Sequence, residues 1–314
     1  MDIQYLLALQ DLRNATGDVF NEFFNALSKV AVEILPFLPF IIFWCADKKW
    51  GYRFIATWGA GEIVNGVVKL TVCAYRPWIR SDLIQPAGDS KVAATGYSFP
   101  SGHTVAATVT YGTAAAWQWK KRRWISVLCI VLILLTGFSR NFLGVHTPQD
   151  VFVAICESVA LILIVGFIQR KLEGNEKAHD ILTILGFIAV VGVLLYITLK
   201  PYPMDYADGK LIVDPNAMMN DAFKACGAVL GILLGSLIER HFIHYEIPSG
   251  SKNLPILTAI GGAIMFSWVK YFGPATVVPA FGKHWGNLLL FAIMTMFGTC
   301  IWALVISKAC KDRA

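Results

Sequence analysis

SRNFLGVHTPQDVFVAICESVALILIVGFIQRK, residues 139–171, sets a polar cluster directly against an apolar run of membrane length. Ser139–Arg140, a gap of five residues, His146, a gap of three, and Asp150 make up the cluster. From Val151 to Ile168 only Glu157 carries a charge, and Arg170 and Lys171 close the run. A helix of about 20 such residues crosses a hydrocarbon core about 30 Å thick. Thr147–Pro148–Gln149–Asp150 reads as the start of that helix: a threonine N-cap, proline at the first helical position and an acid at the third. Asp150 follows His146 by four residues, close enough to accept a hydrogen bond from one ring nitrogen and leave the other free to attack. Taken alone, a buried histidine is more often structural than catalytic, and Asp150 could be no more than a helix cap. The meaning of the cluster depends on what the rest of the chain brings to it.

The rest of the chain is of the same apolar kind. Its 314 residues are 56% hydrophobic, with a mean hydropathy of +0.58 and 15% charged residues, against about 25% charged in soluble domains. A soluble helical bundle would show polar stripes, and residues 125–136 and 181–199 have almost none. The expected fold is an all-α integral membrane protein with about nine spans, near 29–46, 54–75, 102–119, 124–142, 149–169, 181–199, 222–239, 255–272 and 287–307. The loops 46–53, 118–124, 169–180 and 239–254 and the tail after 307 hold 15 Lys and Arg; the opposite set holds nine, leaving aside Lys69, Arg76 and Arg140. The positive-inside rule makes the first set cytoplasmic, with the N-terminus outside and the C-terminus inside. The net charge of +6 sits at span ends, so no nucleic-acid partner is expected. Residues 1–28 read as an interfacial amphipathic helix, with Phe20, Phe23, Phe24 and Leu27 at helical spacing against Asp11, Asp18 and Glu22. Residues 29–199 carry the motifs and 200–314 form a C-terminal transmembrane extension. No cleavable leader is expected in the first 20 residues. Five of the seven cysteines, Cys73, Cys129, Cys156, Cys226 and Cys300, fall inside apolar blocks and are expected to be small buried residues.

Two further polar blocks fall on the outer face of this topology. One is Lys69, then Arg76–Pro77, at the end of the second span; the other is Pro100–Ser101–Gly102–His103, opening the third. Ionisable groups so near hydrocarbon are costly and usually mark function. Lys69, Arg76 and Arg140 bring three cations toward one point, which calls for an anion, and the arginine fork suits phosphate oxygens. Ser101 reads as an N-cap, so the amides of Gly102 and His103 lie at a helix N-terminus, a ready phosphate cradle. Gly102 lets a phosphate approach the backbone. His103, on another helix from His146, is placed to protonate a leaving oxygen.

In order and spacing these three blocks resemble the signature of the type 2 phosphatidic acid phosphatase superfamily, over roughly residues 50–170. That superfamily includes lipid phosphate phosphatases, undecaprenyl pyrophosphate phosphatases, glucose-6-phosphatase-like enzymes and soluble vanadium haloperoxidases. The resemblance implies a six-helix core, to which this chain adds about three spans. It implies His146 as nucleophile through a phosphohistidine, His103 as acid and then base, and Asp150 orienting His146. Lys69, Arg76, Ser101, Gly102 and Arg140 would hold the phosphoryl group. No cofactor and no metal are expected, three cations standing where Mg²⁺ would.

The expected function is a metal-independent phosphatase for a lipid phosphate or lipid pyrophosphate, acting at the outer face of a bacterial plasma membrane. The loop 77–100 is expected to cover the site. Hydrolysis of a soluble ester, transfer to an acceptor lipid, and a non-catalytic lipid-binding or transport role are the other readings. Gly227, Gly231 and Gly235, each four apart, allow another helix to approach closely. Its source is either this chain or a second copy, in which case the C-terminal helices make a homodimer. Glu62 and Asn65 share a helical stripe with Lys69 and Arg76 and read as polar contacts between helices.

Overall fold

A computed structural model describes residues 1–311 apart from Asp89, Thr95, Asp208 and Ser249. Its helices are α1 (Asp2–Ala15), α2 (Asn21–Glu33), α3 (Leu38–Cys45), α4 (Lys48–Val72), α5 (Pro77–Arg80), α6 (Ser90–Ala93), α7 (Gly102–Gln118), α8 (Arg123–Phe142), α9 (Pro148–Leu172) and α10 (Glu176–Leu199). After a short hairpin, β1 (Tyr206–Ala207) with β2 (Lys210–Leu211), come α11 (Pro215–Ile238), α12 (Leu254–Ser267), α13 (Gly273–Phe281), α14 (Lys283–Met296) and α15 (Trp302–Lys311). Three π-helical turns extend this last group: Glu239–Ile243, Trp268–Phe272 and Phe297–Ile301.

Among the described residues, seven stretches are long and apolar enough to cross a membrane: Asn21–Cys45, Arg123–Phe142, Pro148–Leu172, Glu176–Leu199, Pro215–Ile243, Leu254–Phe281 and Lys283–Cys310. The protein is an all-α, multi-pass membrane protein. The other two expected spans coincide with helices α4 and α7, which fall short of that measure. Helix α4 carries Lys48, Lys49, Arg53, Glu62 and Lys69, which lowers its hydropathy, and α7 has 17 residues. The first span starts at Asn21, eight residues before the sequence places it. Residues 1–28 accordingly fall into two helices separated by a turn in which Asp18 has φ 60°.

The chain divides into two compact units along lines the sequence does not suggest. One contains 1–36, 64–163 and 200–219; the other contains 37–63, 164–199 and 220–314. Helices α4, α9 and α11 contribute residues to both, so no cut in the linear sequence separates them.

In the first unit α7 packs chiefly on α8, α2 packs on both, and α1 on α8. Helix α7 owes its close fit to small residues: Ala106, Ala107, Thr108, Thr110, Thr113 and Ala115 are all buried, and such residues let helix backbones approach in a membrane. Phe24, Ala87, Ala94, Phe142, Leu143 and Val145 form an apolar core behind the loop that carries His146. Within it the Phe24 ring lies 4.7 Å from that of Phe142 and 5.5 Å from that of Phe138. Each such aromatic pair adds about 0.5–1.5 kcal/mol beyond area burial.

In the second unit α11 lies against α14. A Cβ on Gly227 would fall 2.0 Å from the Leu288 carbonyl oxygen, and one on Gly231 2.1 Å from that of Ala292. The glycine stripe is therefore occupied from within the chain. Fully buried Glu239 anchors the π-turn after α11, taking Lys48 Nζ at 2.7 Å, the Tyr245 amide at 2.7 Å and the Tyr52 hydroxyl. Cys73, Cys129, Cys226 and Cys300 are buried as expected, whereas Cys156 is exposed, because it lies on the outward side of α9.

Candidate active site

His146 sits in the five-residue turn between α8 and α9, and local sequence fixes its position. Gly144, at φ 72°, takes a left-handed conformation open to glycine. The amides of Val145 and His146 return to the Arg140 carbonyl at 3.1 and 3.3 Å, and Asn141 Nδ2 donates to the His146 carbonyl at 2.9 Å. The start signal read from Thr147–Pro148–Gln149–Asp150 is present in full. The Thr147 amide donates to Asp150 Oδ2 at 2.8 Å and the Asp150 amide to Thr147 Oγ1 at 3.3 Å, a reciprocal cap.

His146 is 1% exposed. Its Nδ1 lies 3.3 Å from Asp150 Oδ2, and its Nε2 lies 2.8 Å from Arg76 Nη1. A guanidinium has donors and no acceptor, so Nε2 receives that hydrogen bond through its lone pair. The imidazole proton is then on Nδ1, donated toward Asp150. Burial, followed by the charge of Arg76, pushes the His146 imidazole well below its ordinary value of 6.5, against the pull of Asp150. Arg76 is itself drawn down to about 10 by burial, Asp150 opposing, and remains cationic at neutral pH.

The three cations are buried: Lys69 at 9%, Arg76 at 5% and Arg140 at 2% exposure. Lys69 Nζ donates to the carbonyl of Pro100 at 2.8 Å and of Tyr97 at 3.4 Å. Arg76 donates to Val145 and Gly96 carbonyls at 2.9 and 3.2 Å. Arg140 Nη1 donates to Ser28 Oγ at 2.8 Å, and among the described residues its buried Nε meets no hydrogen-bond acceptor. Arg76 is the charge that acts on Arg140. Against these cations stand Asp150 and, two turns along α9, Glu157, which acts on Lys69. Three buried cations thus lie close together, an arrangement that an anion would stabilise.

Ser101 caps α7, its Oγ accepting from the Thr104 amide at 3.4 Å and the Thr104 hydroxyl at 2.9 Å. Its own amide donates to the Asp150 carbonyl at 3.1 Å, which ties the starts of α7 and α9 together. Helix geometry leaves the Gly102 and His103 amides without an intrahelical acceptor. A Cβ on Gly102 would stand 3.4 Å from Asn65 Oδ1. His103 is half-buried in the first turn, and the charges acting on it are, in falling order, Arg140, His146, Arg76 and Lys69. All eight residues singled out from sequence thus belong to one cluster.

Three participants escaped the sequence reading. Ser98 donates to Asp150 Oδ2 at 2.5 Å; Ser28 holds Arg140; and Arg13 of α1 donates to the Phe142 carbonyl at 2.8 Å and the Gln85 carbonyl at 2.5 Å. A single serine or a lone arginine in an amphipathic segment gives no periodic signal. The loop 77–100 lies against the His146 turn through the Ala87 amide, which donates to the Leu143 carbonyl at 3.0 Å. Among the described residues no group of three or more His, Cys, Asp or Glu is placed to hold a metal ion.

A family model described as the PAP2 superfamily matches residues 50–172, the stretch that holds most of this cluster. Undecaprenyl-diphosphatase BcrC of Bacillus subtilis is 33% identical over 150 residues, covering 47% of this chain and 68% of the relative. Phosphatidylglycerophosphatase B of Escherichia coli K12 is 37% identical over 82 residues, 26% of this chain and 32% of that protein. An undecaprenyl-diphosphatase of Sulfolobus acidocaldarius is 25% identical over 121 residues, 37% and 54% of the two chains. The chain thus spans about a third of the Escherichia coli relative's length. No solved structure gives a significant match. With the three motif blocks gathered at one cluster inside the residues the family model matches, the chain belongs to the PAP2 superfamily.

Proposed function

We propose that this protein is a membrane phosphatase that cleaves a lipid phosphate or lipid pyrophosphate through a phosphohistidine on His146. The observation that carries the reading is the gathering of three buried cations around an imidazole whose Nε2 bears the lone pair. Nε2 attacks phosphorus while Arg76 turns from the ring to the phosphoryl oxygens, joined there by Lys69, Arg140 and the amides at the start of α7. The bond from phosphorus to the leaving oxygen breaks, and His103 gives that oxygen its proton. Water then attacks the phosphohistidine, His103 takes the water's proton, and phosphate leaves. Asp150 holds the Nδ1 proton throughout. Phosphoryl transfer needs positioning and charge stabilisation above all, and fixed cations supply the latter.

The lipid reading is supported by the place of the site among the ends of apolar helices, where an amphiphile's head group would meet the cations. The relatives' names, a phosphatidylglycerophosphatase and undecaprenyl-diphosphatases, belong to the same substrate class. The count of basic residues in loops favours the outer face for the site, and a bacterial plasma membrane suits a lipid of that kind.

The test is phosphate release by the purified chain in detergent with excess EDTA. Phosphatidic acid, phosphatidylglycerol phosphate, undecaprenyl pyrophosphate and glucose 6-phosphate are offered, with His146→Ala as the blank. The expected result is histidine-dependent release from at least one lipid. Release from the sugar phosphate alone would shift the substrate class. Release that survives His146→Ala, or that stops with EDTA, would remove the mechanism.

A further inference from the structure

The segment that follows α10 lies beyond the residues matched by the family model, yet it belongs to the same compact unit as the active-site cluster. Its contacts reach the backbone that holds two of the three cations. Asp214 caps α11, its Oδ1 accepting from the Asn216 amide at 2.9 Å with Pro215 at the first helical position. This start places Met218 in the first turn of α11, 5% exposed and against Gly96. A Cβ on Gly96 would fall 1.5 Å from Met218 Sδ, and Gly96 has φ 75°. Only glycine gives both the backbone conformation and the room.

Gly96 is the residue whose carbonyl receives Arg76 Nε, and the next carbonyl, of Tyr97, receives Lys69 Nζ. Ser98, one further, donates to Asp150. Three consecutive residues thus orient Arg76, Lys69 and Asp150. A second contact bears on the same stretch. Tyr97 is fully buried, its ring 6.3 Å from that of Tyr75, and the Tyr75 hydroxyl donates to Asp205. Lys200 Nζ adds a contact at 3.7 Å with Cys73 Sγ, at the end of the helix that bears Lys69.

We propose that Met218 and, more weakly, Asp205 are positioning residues: they fix the 96–98 backbone and through it the geometry of the phosphate-binding cations. The start of the C-terminal extension is then part of the catalytic apparatus. The inference rests on the reading of the cluster as a phosphoryl site, and its test is chosen to stand apart from turnover.

Orthovanadate, a tetrahedral phosphate analogue that becomes five-coordinate when a nucleophile adds to it, is titrated calorimetrically into the full chain in detergent. Met218→Ala and Met218→Leu are compared with the wild type. Misplacement by about 1 Å can cost about 100-fold in catalysis, and loss of the thioether contact is expected to weaken vanadate about tenfold. Leucine, of similar volume, is expected to restore most of the affinity. Binding stoichiometry reports the folded fraction, so partial unfolding lowers the number of sites and leaves the dissociation constant unchanged. An unchanged constant in Met218→Ala overturns the proposal, as does absence of vanadate binding to the wild type. Tyr75→Phe, which removes the donor to Asp205, is expected to weaken vanadate by a smaller factor. Failure of the phosphatase reading shows separately, as lipid phosphate release that does not depend on His146.

Discussion

At the scale of single residues the account rests on the protonation of His146. Its titration lies below 6.5 because burial and Arg76 both disfavour the cation. The imidazole is therefore neutral and nucleophilic through the neutral range and takes its second proton only in more acid solution. The acidic limb of kcat/KM is expected below pH 6.5. In Arg76→Gln, where one cause of the shift is gone, that limb is expected to move upward while activity falls. An acidic limb above pH 6.5 in the wild type would contradict the assignment. Asp150→Asn keeps the shape of the orienting group and loses its charge; comparable changes in histidine–carboxylate pairs cost about 10⁴-fold in turnover, and a loss of that order is expected. Ser98→Ala removes one donor to the same oxygen, worth about 1.5 kcal/mol or roughly tenfold. These residues were not equally legible. The His146–Asp150 pair announces itself because ionisable groups beside a span are rare, whereas Ser98 is one serine among many and is defined only by the fold around it.

At the scale of elements, the helix starts were the readable features. Ser101 and Thr147–Pro148 mark the N-termini of α7 and α9, and both caps form as their chemistry requires. The amino-terminal helices carry a weaker signal. Amphipathicity predicts a helix at the membrane interface, and Arg13 of α1, 4% exposed, holds two backbone carbonyls, of Phe142 beside the His146 turn and of Gln85 in the loop 77–100. Amphipathic spacing shows that a face is apolar and cannot say whether lipid or protein covers it. Hydrogen bonds from a charged group contribute about 1.5–3 kcal/mol each. Arg13→Met is accordingly expected to lower stability by roughly 3 kcal/mol, read as an earlier midpoint in denaturant. A midpoint equal to the wild type would show that α1 does not brace the site.

At the scale of the molecule, seven of the nine expected spans are legible, because bilayer thickness sets the length of a span. The division into two units was not, since α4, α9 and α11 each belong to both and composition does not change along them. The glycine stripe on α11 was visible, but its partner became known only from the packing of α14. Gly231→Leu would drive a side chain into the Ala292 carbonyl and the Thr295 hydroxyl. It is expected to destabilise the second unit by more than a single cavity would, seen as loss of monodisperse protein in detergent. Normal behaviour of that variant would mean that α11 and α14 do not meet as described.

The most direct test of the central claim is rapid acid-free quenching of the enzyme during turnover of a ³²P-labelled lipid phosphate, followed by peptide mapping. The expected result is label on the peptide containing His146, stable to alkali and released by acid as a phosphoramidate is, and absent from His146→Ala. Label on another residue, or turnover by His146→Ala at the wild-type rate, would contradict it.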